Sequence, residues 1–235
     1  MKVTTDACLF GAWVSEVLSK NPKAPNRILD IGTGTGVLSL MLAQKLSTSS
    51  IDAVELDQKA SEEASRNFST SPWTNRLFAH NIAVQNFRSE GPFDVIITNP
   101  PFYDGSPGGK DQSKNIALHS WYLSQQELIE ACSKHLHADG SLFILYPARE
   151  MEAFIKLALR SNLGVKRLIS VFNQPESKVF RRMAQLTHSN AGKNPEQTTL
   201  TIRATDGKYS QTFWHLLSDY YLEYNNPELQ SQKSR

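Results

Sequence analysis

The chain has 235 residues, 40% hydrophobic and 20% charged, which suits one α/β domain with a full core and excludes a disordered polymer. No apolar run approaches the roughly 20 residues that span a bilayer, and the first ten residues lack a basic stretch followed by an apolar one, so neither a membrane anchor nor a secretory leader is expected. Net charge is +2, and Cys8 and Cys132 stand apart from any Cys/His cluster, which leaves no disulfide framework and no metal site and fits a reduced, cytoplasmic compartment.

Apolar β-rich runs alternate with helical patterns, the signature of βαβ units and a parallel sheet. Arg27–Ile31 is a short buried strand, followed by a glycine turn and a helix to about Leu46. Residues 51–56 form the second strand and residues 58–68 a helix rich in Ala, Glu and Ser. Strands are expected over residues 76–82 and Phe93–Thr98. Residues 124–137 have helical apolar spacing, with Asp139-Gly140 as the stop, and residues 141–146 form a fifth strand. A helix over residues 150–161 stops near Gly164. Three strands then follow without helices, at residues 165–172, 179–187 and 198–204. The polar loop 189–196 points to an antiparallel hairpin between the last two. Residues 212–222 read as a docked amphipathic helix, and the polar tail 225–235 as disordered beyond a single domain over residues 1–224.

Charge is spread unevenly. Residues 156–208 hold ten lysines and arginines against three acids, while the remainder is net negative. Such a segment fits either a polyanionic partner or a solvated face of sheet and loop.

The turn Asp30-Ile31-Gly32-Thr33-Gly34-Thr35-Gly36 follows a strand and opens a helix. Its glycines permit a tight turn and close approach of a ligand. The spacing is GxGxG, without the GxGxxG of dinucleotide sites or the Gly-Lys-Ser/Thr of a P-loop. About 20 residues on, Glu55 ends the second strand, where an acid can hold two ribose hydroxyls. Leu56 is placed to pack on an adenine face, and Asp57 to cap the next helix. An acid at the first strand end beside GxGxG suits a ligand with an ammonium group and no phosphate, and S-adenosylmethionine (SAM) is such a ligand. At the third strand tip, Asn81 and the backbone of Ile82 are candidates for the adenine amino group, and His80 reads as an ordinary strand-end histidine. Phe93–Thr98 runs into Asn99-Pro100-Pro101-Phe102. An aromatic or amide NH2 is a poor nucleophile because its lone pair is delocalised. The Asn99 side-chain oxygen and the Pro100 carbonyl can accept its two protons and aim the lone pair at a methyl donor. Prolines 100 and 101 stiffen the loop, and Phe102 offers a ring for an unpaired base.

These residues together resemble the class I SAM-dependent methyltransferases. Their fold is a mostly parallel Rossmann-like sheet with a C-terminal antiparallel hairpin and helices on both faces. Asn-Pro-Pro-aromatic narrows the resemblance to amino methyltransferases. The segments Met1–Trp13, Asn99–Tyr103, Ala117-Leu118-His119 before Leu-Ser-x-x-Glu-Leu, and Asp219–Leu222 are similar to the bacterial tRNA1(Val) adenine-37 N6-methyltransferases. The resemblance implies a tRNA substrate, SAM as cofactor and a basic hairpin bearing Lys178, Arg181 and Arg182 for RNA contact. It also implies a helix opened by Thr5-Asp6 over the SAM pocket, with Thr5 either touching the methionine part of SAM or capping the helix. Asn81 stands where that family commonly has Asp, and Leu118 where it often has Arg. A monomer is expected.

Overall fold

In a computed structural model, residues 3–101, 123–190 and 193–221 are described. α1 (Thr5–Ser19) precedes the sheet. β1 (Arg27–Ile31), α2 (Val37–Lys45), β2 (Ser50–Glu55), α3 (Gln58–Ser69) and β3 (Leu77–Asn81) form two successive crossovers. Then come β4 (Phe93–Thr98), α4 (Gln125–His135), β5 (Leu136–Tyr146) and α5 (Ala148–Arg160). β6 (Gly164–Phe172), β7 (Val179–Thr187), β8 (Glu196–Thr201) and α6 (Gln211–Leu217) complete the described elements. Eight strands make one sheet in the order β3-β2-β1-β4-β5-β7-β6-β8. The first five are parallel neighbours, β7 is antiparallel to β5 and β6, and β8 is parallel to β6.

Strand periodicity divides the core in two. On β5, Phe143 and Leu145 face a cluster with α1, α2 and α6, whereas Leu142, Ile144 and Tyr146 face one with α4 and α5. Helix starts follow local chemistry. Asp57 caps α3 as its sequence position suggests, its carboxylate accepting from the Ala60 N–H at 2.8 Å. Ser124 and Glu127 form a reciprocal capping box on α4.

Two expectations are corrected. The C-terminal hairpin joins β6 to β7, not β7 to β8. β7 lies between β5 and β6 and both its edges are paired, so β8 cannot pair with it and adds instead to the outer edge of β6. The polar segment after β7 thus leads to a strand that pairs with β6 and not with β7. Second, α4 ends at His135 and the chain enters β5 at once. Gly140 is no helix stop. A Cβ there would lie 2.7 Å from Leu136 Cδ1 and 3.0 Å from the Asp94 carbonyl, so glycine lets β5 press against β4 where the register shifts.

Candidate active site

The parallel register sets Ile31 opposite both Val54 and Thr98, so the carboxyl ends of β1, β2 and β4 share one edge. The chain order reverses between β1 and β4, the place where open α/β sheets bind ligands. Gly32, Gly34 and Gly36 all have positive φ, at 70°, 59° and 84°. At Gly36 a Cβ would come within 2.4 Å of the Phe68 ring, so both conformation and space demand glycine there. The Gly32 and Thr33 N–H groups donate to the Val54 carbonyl at 2.9 and 3.2 Å, which fastens the turn to β2.

Asp30 is fully buried beneath this turn. Its Oδ2 accepts from the Thr33 hydroxyl at 2.6 Å and the Ser39 hydroxyl at 2.7 Å. Its Oδ1 is buried with no partner among the described residues. Burial pushes the carboxyl up to about 6, only partly opposed by the two hydroxyls, and the nearby Glu55 charge adds to the rise. The acid supports the turn from below and is not itself on the cavity wall.

Above the edge lies a cavity of about 1020 Å³. Gly32, Thr33 and Gly34 line it, with Glu55, Leu56 and Ile82. One Glu55 oxygen accepts from the Gly34 N–H and the other from the Asp57 N–H, both at 2.9 Å. Each carboxylate oxygen keeps a second lone pair for a ribose hydroxyl. Leu56 is 43% exposed, an unusual position for leucine that a flat ring would cover. The Ile82 N–H is engaged by the carbonyls of Glu55 and His80, so an amino group, which donates, would have to use the Ile82 carbonyl. The Asn81 amide donates to the Glu55 and Leu56 carbonyls at 3.0 Å each, pinning the β2 tip, and Asn81 does not line the cavity. His80 bonds Asp52 at 2.8 Å, an ordinary strand contact.

Asn99, Pro100 and Pro101 line the same cavity. Asn99 is half-buried and Pro100 buried, and the preceding Thr98 hydroxyl donates to the Ile31 carbonyl at 2.9 Å, tying this loop to the glycine turn. Phe102 and the 117–119 stretch with Leu118 lie outside the described residues. The first turn of α1 forms another wall. Thr5 is exposed on it, but Thr4 is the N-cap residue and makes no side-chain cap bond, so Thr5 is not a cap.

The three hairpin cations are split. Lys178 is exposed. Arg181 points to the cavity, with Nε donating to Asp6 Oδ2 at 2.9 Å and its guanidinium 4.0 Å over the Phe180 ring. Arg182 is paired with Glu152 at 2.9 Å. The last two do not present bare charge to solvent.

Sequence reasoning missed Arg203 and Tyr209, which complete the wall beyond β8. A Thr-Asp-Gly turn between them was the available signal. Asp6 was visible only as a helix opener; its bond to Arg181 joins positions 175 residues apart.

The fold of this sheet is similar to that of solved methyltransferases. It is similar to a predicted O-methyltransferase from Agrobacterium tumefaciens, with a TM-score of 0.67 at 18% identity over 90% of this chain and 95% of that one. It is also similar to the plantazolicin methyltransferase solved with SAH, with a TM-score of 0.55 at 14% identity over 78% and 84%. Residues 12–164 match the Methyltransferase small domain. Among sequence relatives, the tRNA1(Val) (adenine(37)-N6)-methyltransferases of Dyadobacter fermentans and Pseudoalteromonas translucida are 38% and 36% identical, each over 95% of this chain and 92% of the relative. The chain belongs to the tRNA1(Val) (adenine(37)-N6)-methyltransferase family, and its methyl donor is SAM. No helix among the described residues is long and apolar enough to cross a membrane.

Proposed function

We propose that this protein methylates the N6 amine of adenine 37, beside the anticodon of tRNA1(Val), and does so in the cytoplasm. The observation that carries the reading is the placement of Asn99-Pro100-Pro101 on the wall of the cavity that also holds the glycine turn and Glu55. The relatives' names supply the particular tRNA and base.

The residues present fit SAM. Glu55 has acceptors for a ribose diol, Leu56 an exposed apolar face, and the unpartnered Asp30 Oδ1 a negative charge under the turn for an ammonium. When bound, SAM supplies a sulfonium methyl group, already activated for transfer. The chain's own task is to hold the acceptor. The Asn99 side chain and Pro100 carbonyl take the two hydrogens of the adenine amine, which keeps its lone pair out of the ring and fixes its direction. The buried Pro100 holds the loop stiff, and Phe102 is the candidate ring for the unpaired base. A cavity of about 1020 Å³ is at the upper end for one small ligand and has room for a nucleoside beside the donor.

Incubation with SAM and unmodified tRNA1(Val), followed by nucleoside analysis, should yield N6-methyladenosine at position 37. Asn99→Ala should lower kcat about 100-fold or more, the scale for loss of one preorganised polar contact at a reacting centre, with SAM affinity unchanged in calorimetry. Methylation of a guanine or of protein glutamine, or full activity in the variant, would overturn the reading.

A further inference from the structure

The chain after β8 makes a short closed hairpin. Arg203 and Tyr209 form an antiparallel bridge. The Ala204 N–H donates to the Lys208 carbonyl at 2.8 Å, the Gly207 N–H to Ala204 at 3.0 Å, and the Lys208 N–H to Asp206 Oδ1 at 3.0 Å. Gly207, at φ 79°, makes the bend. Three bonds fasten the hairpin to the sheet and its turn: Ser210 N–H to Ile202 at 2.9 Å, the Ser210 hydroxyl to the Thr201 carbonyl at 2.5 Å, and Arg203 N–H to Asn173 in the β6–β7 turn at 3.0 Å.

Arg203 is held in a defined pose. Its guanidinium lies 4.7 Å over the Tyr209 ring, and Nη1 donates to the Gly207 carbonyl at 2.7 Å. Tyr209 stacks on the fully buried Phe213 at 4.3 Å and 9°, so the cation rests on rings rooted in the core. Arg203 is exposed nonetheless, and it lines the cavity. Two cations among the described residues do so, and they differ. Arg181 is matched by Asp6, whereas Arg203 is held by a carbonyl and a ring alone and meets no carboxylate among the described residues. Among the described residues, the cavity's uncompensated positive charge is therefore at Arg203.

Its position favours the acceptor over the donor. In sheet order β8 stands five strands from β1, roughly 24 Å along the sheet at the usual strand spacing. One face of the guanidinium is covered by Tyr209, which leaves its edge, and edge donors bind phosphate oxygens in pairs. Exposed Lys178 and Lys208 belong to the two turns that the Arg203–Asn173 bond connects.

We infer that Arg203, preset by Tyr209, grips a backbone phosphate of the RNA next to the target adenine. This rests on the proposed RNA substrate. It would make Arg203 a positioning residue for the extruded base, with Lys178 and Lys208 adding charge along the same rim.

The test compares the wild type with Arg203→Ala and Arg203→Lys on unmodified tRNA1(Val), at saturating SAM and several salt concentrations. Arg203→Ala should raise KM for tRNA about tenfold with little change in kcat, and reduce the slope of log kcat/KM against log salt by about one. Arg203→Lys should recover the slope but only part of the KM, since it keeps the charge and loses the fork. SAM affinity should match the wild type in both. Unchanged KM and slope in Arg203→Ala would overturn the contact, and weakened SAM binding would reassign the residue to the donor. If the wild type makes no N6-methyladenosine, the functional reading fails separately. Anisotropy titration of the same transcript then still compares Arg203→Ala with wild type, and equal binding and salt slope would sink the phosphate contact.

Discussion

Asp30 is the most consequential single residue. The folded carboxyl is raised to about 6 against an ordinary 3.8. Between these values the unfolded chain has released its proton while the folded chain retains it. Stability from this group therefore falls as pH rises from about 4 to 6, then stays level. At neutral pH the charge costs stability. Asp30→Asn can still accept from Thr33 and Ser39 through its amide oxygen. Its Tm at pH 7 should equal or exceed that of the wild type, and the Asp30 contribution between pH 4 and 6 should vanish. SAM affinity should fall by about tenfold, the scale of two charges roughly 10 Å apart at an effective dielectric of about 20, since Asp30 lies off the cavity wall. Thermal melts at pH 4.5 and 7 with SAM calorimetry check both; wild-type affinity in the variant would remove the electrostatic role. Asp30, Glu55 and Asn99 were all legible in the sequence because each sits at the end of a strand that its own neighbours define. Asn81 was legible as a strand tip, but its side-chain bonds depend on how the β2 end turns.

Among elements, the first turn of α1 matters most for the site, because it lines the cavity without a side-chain N-cap. Asp6 takes over part of that work. One oxygen accepts from the Ala7 N–H at 3.1 Å and the other from Arg181. Both side chains of the ion pair are mostly buried, so it is less screened than a surface pair. Asp6→Ala should cost about 2 kcal/mol, the range for a hydrogen bond to a charged group, and lower Tm by roughly 6 °C for a domain of this size. Amide exchange should quicken in α1 ahead of β1; uniform exchange would show that α1 is held by its apolar face alone. The sequence hides this tie for the reason it hides the β6–β8 pairing. Both depend on the order in which strands enter the sheet. Apolar alternation along β7 fixes which residues are inside and is silent on which neighbour each edge takes.

For the molecule as a whole, the family-model match and the cavity have different extents. The match covers residues 12–164, from within α1 to the start of β6, and includes the glycine turn, Glu55 and Asn99. The cavity also uses residues 3–7 and several between 173 and 209. The two parts are joined in the sheet by the β5–β7 ladder, which pairs Leu142–Tyr146 with Arg182–Leu186, so the C-terminal strands cannot leave without breaking it. Phe213 and Leu217 of α6 share one core cluster with Phe10 of α1 and Leu42 of α2. The described residues are thus expected to melt as one cooperative unit, with cofactor binding confined to the folded state, since no unfolded chain brings residues 5, 34, 55 and 99 together. At a SAM concentration 100 times Kd, linkage adds about 2.7 kcal/mol. With roughly 2–4 °C per kcal/mol in this size range, Tm should rise by about 5–11 °C. Scanning calorimetry of the full chain should show a single peak that moves intact. A peak that splits, with only one part shifted by SAM, would mean that the strands after β5 form a separate unit, and that the acceptor side of the cavity can open while the donor side stays folded.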